Sequence, residues 1–153
     1  MANTYSQIFL QIVFTVRHRD CFIKEQYRII LQKYMTGIIQ NRGHKLLSIY
    51  CNPDHVHIFI GYNPSNALPD LVRDIKTAST SFINEHKWNK FKFYWQEGYG
   101  AFSYSKSQIG NVCRYIENQA DHHKKRSFKE EYLDFLKKFN VDYNEQYLFD
   151  FFD

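Results

Sequence analysis

Apolar and polar residues alternate with two different periods along the chain. From Tyr5 to Val16 the run YSQIFLQIVFTV is rich in β-branched and aromatic residues, which predicts a strand. From Ile8 it is nearly continuous in apolar character, as expected of a central strand covered on both faces. Between Lys24 and Arg42 the period lengthens. Tyr27, Ile30, Leu31, Tyr34, Ile38 and Ile39 recur at three and four residues, which predicts an amphipathic helix stopped by Gly43. KLLSIYC at 45–51 predicts a second strand and Asn52-Pro53-Asp54 a turn. The apolar run from His55 to Ile60 predicts a third strand, paired with the second as a hairpin. Leu68 or Pro69 opens a second helix to about His86, with Leu71, Ile75, Ala78 and Phe82 as its inner stripe. FKFYWQ at 91–96 alternates and predicts a fourth strand, broken by Gly98 and Gly100. Ser105 and Gln108 have the spacing of a capping box and predict a third helix to about His123. Ile109, Val112, Cys113, Ile116 and Ala120 form its apolar face. A short amphipathic helix is expected over 128–139, and the apolar end, Leu148 to Phe152, is expected to dock.

The order β-α-β-β-α-β, followed by α, predicts an α+β fold with a ferredoxin-like antiparallel sheet. The first and third strands are then central. Two helices cover one face and leave the other for a ligand or a further element. A length of 153 residues predicts one domain. Charge divides it. Residues 127–153 carry three Lys and seven Asp or Glu, a net of −4; against +4 for the whole chain this leaves +8 on residues 1–126. The expectation is a basic body at 1–126 with an acidic, aromatic tail at 127–153 packed on it. A basic body suits a polyanionic partner. No apolar run is long enough to span a membrane. Three cysteines, none in a CxxC pair, read as reduced thiols of a cytoplasmic protein.

His55 and His57 stand two residues apart in the apolar third strand, so both project from one face while Val56, Ile58 and Ile60 take the other. Imidazoles in an apolar central strand cost free energy unless partnered, and two on one rigid face make half a metal site. Tyr115 and Gln119, four apart on the third helix, share a stripe a quarter turn or more from its apolar face. Arg17, Arg19, Lys76, Lys87, Lys90, Lys92, Arg114, Lys124, Lys125 and Arg126 are candidate phosphate partners. Tyr94, Trp95, Tyr99 and Phe102 are candidates to stack on bases. Of the cations, Lys76 and Arg114 are favoured: one lies on the helix after the His strand, the other adjoins Tyr115.

The segments PDHVHIFI at 53–60, YWQEGYGAFSYS at 94–105 and RYIENQADHH at 114–123 closely resemble the HUH single-tyrosine transposases. This is the insertion-sequence-200-like family, which includes the REP-associated tyrosine transposases. The resemblance implies that His55, His57 and Gln119 hold a divalent metal, Mg²⁺ or Mn²⁺. It implies that Tyr115 cuts single-stranded DNA through a 5′-phosphotyrosine link, with hairpins at element ends as the recognised substrate. It further implies a homodimer, with residues 98–101 as a linker that would let the tyrosine helix reach the partner. Two other readings stand beside it. One is a ferredoxin-like module that binds single-stranded nucleic acid, although His55 and His57 occupy the strand where such a module carries aromatics. The other is a rolling-circle-type HUH nickase.

Overall fold

The computed structural model describes residues 3–152. Strands β1 (Phe9–Thr15), β2 (Lys45–Cys51) and β3 (His55–Gly61) are joined by helix α1 (Glu25–Asn41) and the tight turn at Asn52 to Asp54. Helix α2 (Leu68–Glu85) leads to β4 (Gly100–Tyr104), and α3 (Ile109–Glu117), α4 (Gln119–His122) and α5 (Phe128–Lys138) follow. The sheet order is β2-β3-β1-β4 with every pairing antiparallel. This is the expected α+β ferredoxin-like arrangement, and it places the His strand in mid-sheet.

Register divides the sheet into two faces. Leu10, Ile12 and Phe14 of β1 lie opposite Ile60, Ile58 and Val56 of β3. These residues share a core with Leu31, Met35 and Ile39 of α1 and with Leu71 and Ile75 of α2. On the other face Gln11 lies opposite Phe59 and Phe102, Val13 opposite His57 and Gly100, and Thr15 opposite His55. That face is covered by α3 and α5. Val112 and Ile116 of α3 pack on Phe59, and Phe135 of α5 packs on Phe102 with ring centroids 5.2 Å apart.

The fourth strand is not where the alternation of 91–96 predicts it. Phe93 and Trp95 do turn inward, but the ladder there is a single bridge, closed by Arg17 N–H to Tyr94 O and Gln96 N–H to Thr15 O at 2.9 Å each. Phe93 N–H donates to Asn84 Oδ1 (2.7 Å), Asn84 Nδ2 donates back to Phe93 O (3.2 Å), and only Trp95 bridges to Val16. The strand is instead GAFSY, which begins past Gly98 (φ +86°) and runs along β1 in the same sense as the bridge at Trp95. Gly100 and Ala101 are therefore paired with Val13 and Ile12, and do not form the free linker expected at 98–101. On α1 the inner row is Leu31, Met35 and Ile39, spaced by four, which turns Ile30 outward to 47% exposure. The third helix keeps its capping box at Ser105 and Gln108, but it breaks at Asn118, so Gln119 opens α4. Ala120, expected on the apolar face, is exposed. The chain's end docks: Phe149 is buried beside Tyr132, and Asp150 N–H donates to Gln96 Oε1 at 2.9 Å.

Candidate active site

The site grows from β3. The turn before it is closed by the Asn52 N–H to His55 O bond (2.8 Å), and neighbours on both edges stiffen it. His55 and His57 are 1% and 0% exposed, on the face beneath α3 and α5. Phe59, next on that face, anchors Val112 and Ile116. This apolar contact places the outer turns of α3 over the histidines. The ring centroid of Tyr115 is 6.1 Å from that of His57, and Gln119 is fully buried beside it.

Two further residues enter the cluster. His123 lies just past α4, its ring 4.7 Å from that of His55. Glu131 comes from α5 and is completely buried. Its Oε1 lies 3.0 Å from His57 Nε2, 3.2 Å from His123 Nε2 and 3.3 Å from His55 Nε2. Its Oε2 accepts from Tyr115 Oη and from Gln119 Nε2 (3.2 Å). One ligand atom from each of His55, His57, His123 and Glu131 can be chosen so that all four lie within 4.8 Å of one another.

The protons of the three rings follow from their partners. Nδ1 of His55 faces the Asp54 carboxylate at 2.7 Å. Nδ1 of His57 faces Gln11 Oε1 at 2.7 Å, while Gln11 Nε2 donates to Tyr104 Oη at 2.9 Å. Nδ1 of His123 faces the Arg126 carbonyl at 3.1 Å. Each of these oxygens can only accept, so each Nδ1 carries a proton, and in the neutral ring Nε2 is a lone pair. Asn52 Nδ2 is placed to donate to both His55 Nε2 (3.1 Å) and Gln119 Oε1 (3.0 Å). Three imidazole lone pairs, the Glu131 carboxylate and the Gln119 carbonyl oxygen, 3.0 Å from His123 Nε2, thus converge with few protons among them. Such a donor set suits a divalent cation, with the outer oxygens orienting the rings.

Charge states differ between the rings. Burial lowers His57 below the ordinary imidazole value, against the pull of Glu131, and so favours its neutral form. Burial also works against charge on His55, but Asp54 and Glu131 outweigh it and raise its pKa. Burial pushes the Glu131 carboxyl up, and the three histidines overcome this and hold it far below the usual carboxylate range. The Tyr115 phenol is raised well above 10, first by burial and then by the adjacent Glu131 charge. It stands as a protonated donor, its ring stacked at 4.5 Å on His122.

The structure therefore brings His55, His57, Tyr115 and Gln119 together. Of the basic candidates, Arg126 lines the cavity beside Tyr115. Arg17, Arg114, Lys124 and Lys125 are exposed; Arg114 donates to Asn111 and Lys124 pairs with Asp121 at 3.6 Å. Lys76 donates to the carbonyls of Gln96 (2.8 Å) and Gly98 (2.6 Å), and burial lowers its pKa to about 8. Trp95 is 7% exposed, donates to Ser79 Oγ at 2.9 Å and meets Phe14 and Phe93 edge-on. Its indole is a core residue and offers no open face to a base. Phe102, also a stacking candidate, is buried at 3%. A cavity of about 400 Å³ opens beside Tyr115, lined by Gln108, Asn111, Arg126 and Lys138 among others.

His123 and Glu131 are the cluster residues that sequence reasoning missed, and only Glu131 carried a signal. Phe128, Glu131, Tyr132 and Phe135 fall at i, i+3, i+4 and i+7, so an acid interrupts the apolar stripe of α5. That interruption was the available signal.

Residues 4–119 match the family model described as Transposase IS200 like. The ISDra2 transposase TnpA of Deinococcus radiodurans is 24% identical over 122 residues, which cover 75% of this chain and 86% of that protein. A candidate transposase from D. radiodurans R1, solved as a crystal structure, superposes with a TM-score of 0.59 at 22% identity, covering 78% of this chain and 95% of that one. A REP-associated tyrosine transposase, solved bound to a REP hairpin, also gives 0.59, at 15% identity over 80% of this chain and 73% of that one. These two structures share the fold. The family model spans about three-quarters of the sequence, and on that match the chain belongs to the IS200-like transposases, enzymes that cut DNA strands and transfer them to new ends.

Proposed function

We propose that this transposase cleaves and rejoins single-stranded DNA through a 5′-phosphotyrosine at Tyr115, using a divalent metal at His55, His57 and Gln119. The observation that carries the reading is the meeting of Tyr115 and Gln119 with the two β3 histidines in one buried cluster. Tyr115 Oη would bond to the scissile phosphorus, the bond from phosphorus to the 3′ oxygen would break, and that oxygen would leave with a proton. Attack by another 3′-hydroxyl reverses the step and joins strands in a new order. The covalent link keeps the phosphodiester energy, so neither water nor ATP is consumed.

A free phenol has a pKa near 10 and is a weak nucleophile at neutral pH. When bound, Mg²⁺ or Mn²⁺ would draw charge from the phosphate and so stabilise the crowded transition state. The chain's own residues orient the centre. Asp54 and Gln11 fix the rings of His55 and His57, and Asn52 holds the Gln119 carbonyl. The α3 packing on Phe59 aims the phenol.

The DNA is proposed to carry hairpins, as the REP-associated relative's bound ligand suggests. Arg17, Arg114, Lys124 and Lys125 are exposed and available to phosphates, with Lys76 beside the turn at Gly98. Residues 1–126 are taken as the catalytic body, 127–153 as a segment packed on it, and two copies as the working assembly in the cytoplasm. Among the described residues no helix is long and apolar enough to cross a membrane.

The test is a covalent adduct. Labelled single-stranded hairpin DNA from the element's own ends, incubated with protein and Mg²⁺ or Mn²⁺, should give an SDS-resistant complex that Tyr115→Phe abolishes. No adduct with wild type, or equal adduct with Tyr115→Phe, refutes the mechanism.

A further inference from the structure

The segment matched by the family model ends at Gln119, yet the cluster around the β3 histidines is completed from beyond it. His123 and Glu131 both lie past that boundary. Glu131 is fully buried, and its Oε1 faces three ring nitrogens that their partners leave as lone pairs. With all three rings neutral these atoms repel one another, so a proton or a cation must lie among them. Glu131 Oε1 stands 3.0–3.3 Å from each ring nitrogen, and four ligand atoms lie within 4.8 Å of one another, close to the spacing of roughly 3 to 3.5 Å that bonds of 2.0–2.2 Å set between neighbouring ligands.

We propose that His123 and Glu131 are ligands of the metal together with His55 and His57, so that the ion ties helix α5 to the sheet. The inference rests on the metal-dependent reading above and extends its ligand set beyond the two histidines and Gln119. It changes the chemistry of the centre in two ways. Three imidazoles and a carboxylate select Mn²⁺, Fe²⁺ or Zn²⁺ over Mg²⁺, which asks for an oxygen shell. The carboxylate also cancels one of the ion's two charges, and its second oxygen holds the Tyr115 phenol. The tyrosine and the ion are thus linked through a single side chain from outside the matched segment.

The test measures binding directly on the full chain. Free Mn²⁺ is followed by electron paramagnetic resonance as it is titrated into wild type, Glu131→Gln and His123→Asn, with His57→Ala as the control for the His pair. Circular dichroism confirms that each variant is folded. Glu131→Gln keeps the shape of the side chain and removes the charge. Loss of an outer partner of a ligand already weakens binding about 10- to 100-fold, so loss of a ligand should cost at least about 10-fold in each variant. Mn²⁺ should also slow amide exchange over residues 128–138 in wild type and not in Glu131→Gln. If Glu131→Gln does not fold, His123→Asn carries the test, since that ring is 17% exposed and less involved in the core.

Binding by Glu131→Gln that is equal to wild type, or tighter, overturns the proposal. Tighter binding would make Glu131 an occupant that the ion displaces. If His57→Ala loses Mn²⁺ while Glu131→Gln and His123→Asn keep it, the smaller ligand set stands and only this extension falls. If wild type binds no Mn²⁺, both fall together.

Discussion

Gln11 offers a sharp test of how the ring protons are arranged. It is 1% exposed on β1, accepts from His57 Nδ1 at 2.7 Å and donates to Tyr104 Oη at 2.9 Å. Gln11→Met keeps the length of the side chain and removes both bonds. The His57 Nδ1–H then has two outcomes. It can stay unpaired in the interior, at a cost of about 1–3 kcal/mol. Otherwise the ring changes tautomer, and the proton moves to Nε2, where Glu131 Oε1 waits at 3.0 Å. The second route spares stability and removes a lone pair from the metal site. The expected result is therefore asymmetric. Unfolding in urea with chelator present should shift by no more than about 1–3 kcal/mol. Mn²⁺ affinity should fall about 10- to 100-fold, the usual loss when the partner of a ligating histidine is removed. Nitrogen-15 shifts of the imidazole would report the tautomer directly. Gln11→Glu keeps an acceptor at Nδ1 and should restore affinity. A folded Gln11→Met protein that binds Mn²⁺ within about threefold of wild type would refute the assignment of the His57 proton.

Two predictions concern the covering of the sheet by α5. A Cβ on Gly100 would lie 2.6 Å from Tyr132 Oη and 3.1 Å from Phe102 Cε2, so Gly100→Ala should destabilise by about 1–3 kcal/mol in urea unfolding; an unchanged midpoint would show that α5 does not rest on β4. Tyr132 is 6% exposed, and burial pushes its phenol up to about 12. A folded pKa above the unfolded value gives stability that is complete below pH 10 and is lost as pH rises through about 12. Two units correspond to about 2 to 3 kcal/mol, and Tyr132→Phe should remove this part of the alkaline slope; an identical slope in the variant would contradict it.

How far the sequence could be read depended on where each residue's partners lie. The β3 histidines were legible because two polar rings in an apolar strand need partners, and their spacing put them on one face. Tyr115 and Gln119 were legible from their separation by one helical turn together with the resemblance of the surrounding segments. The fourth strand was not. Alternation in FKFYWQ reports side chains that do turn inward, yet the side chain of Asn84 takes both backbone groups of Phe93. The true strand opens on a glycine, which reads as punctuation, because the reason for that glycine is a tyrosine ring some thirty residues later. Trp95 looked able to stack on a base because its contacts with Phe14, Ser79 and Phe93 are invisible in one dimension.

Glu131 was hidden for an energetic reason. An acidic tail reads as solvated, since burying a charge costs several kcal/mol even after relaxation. The residues around it change that balance. Phe128, Tyr132, Phe135 and Leu136 are each 3–8% exposed. Each contributes roughly 1.5–3 kcal/mol on burial, so together they offset the cost of carrying one carboxylate inward. Phe128 also stacks on His55 with centroids 3.8 Å apart. Helix α5 is therefore docked by its aromatics, and the charge rides in with them. The placement of α3 follows the same logic, because Val112 and Ile116 pack on Phe59 and carry Tyr115 over the sheet. Both covering helices are held by apolar surface. Glu131 is thus free to serve the chemistry of the cluster, and neutralising it as Glu131→Gln should leave α5 in place while altering what the histidines bind.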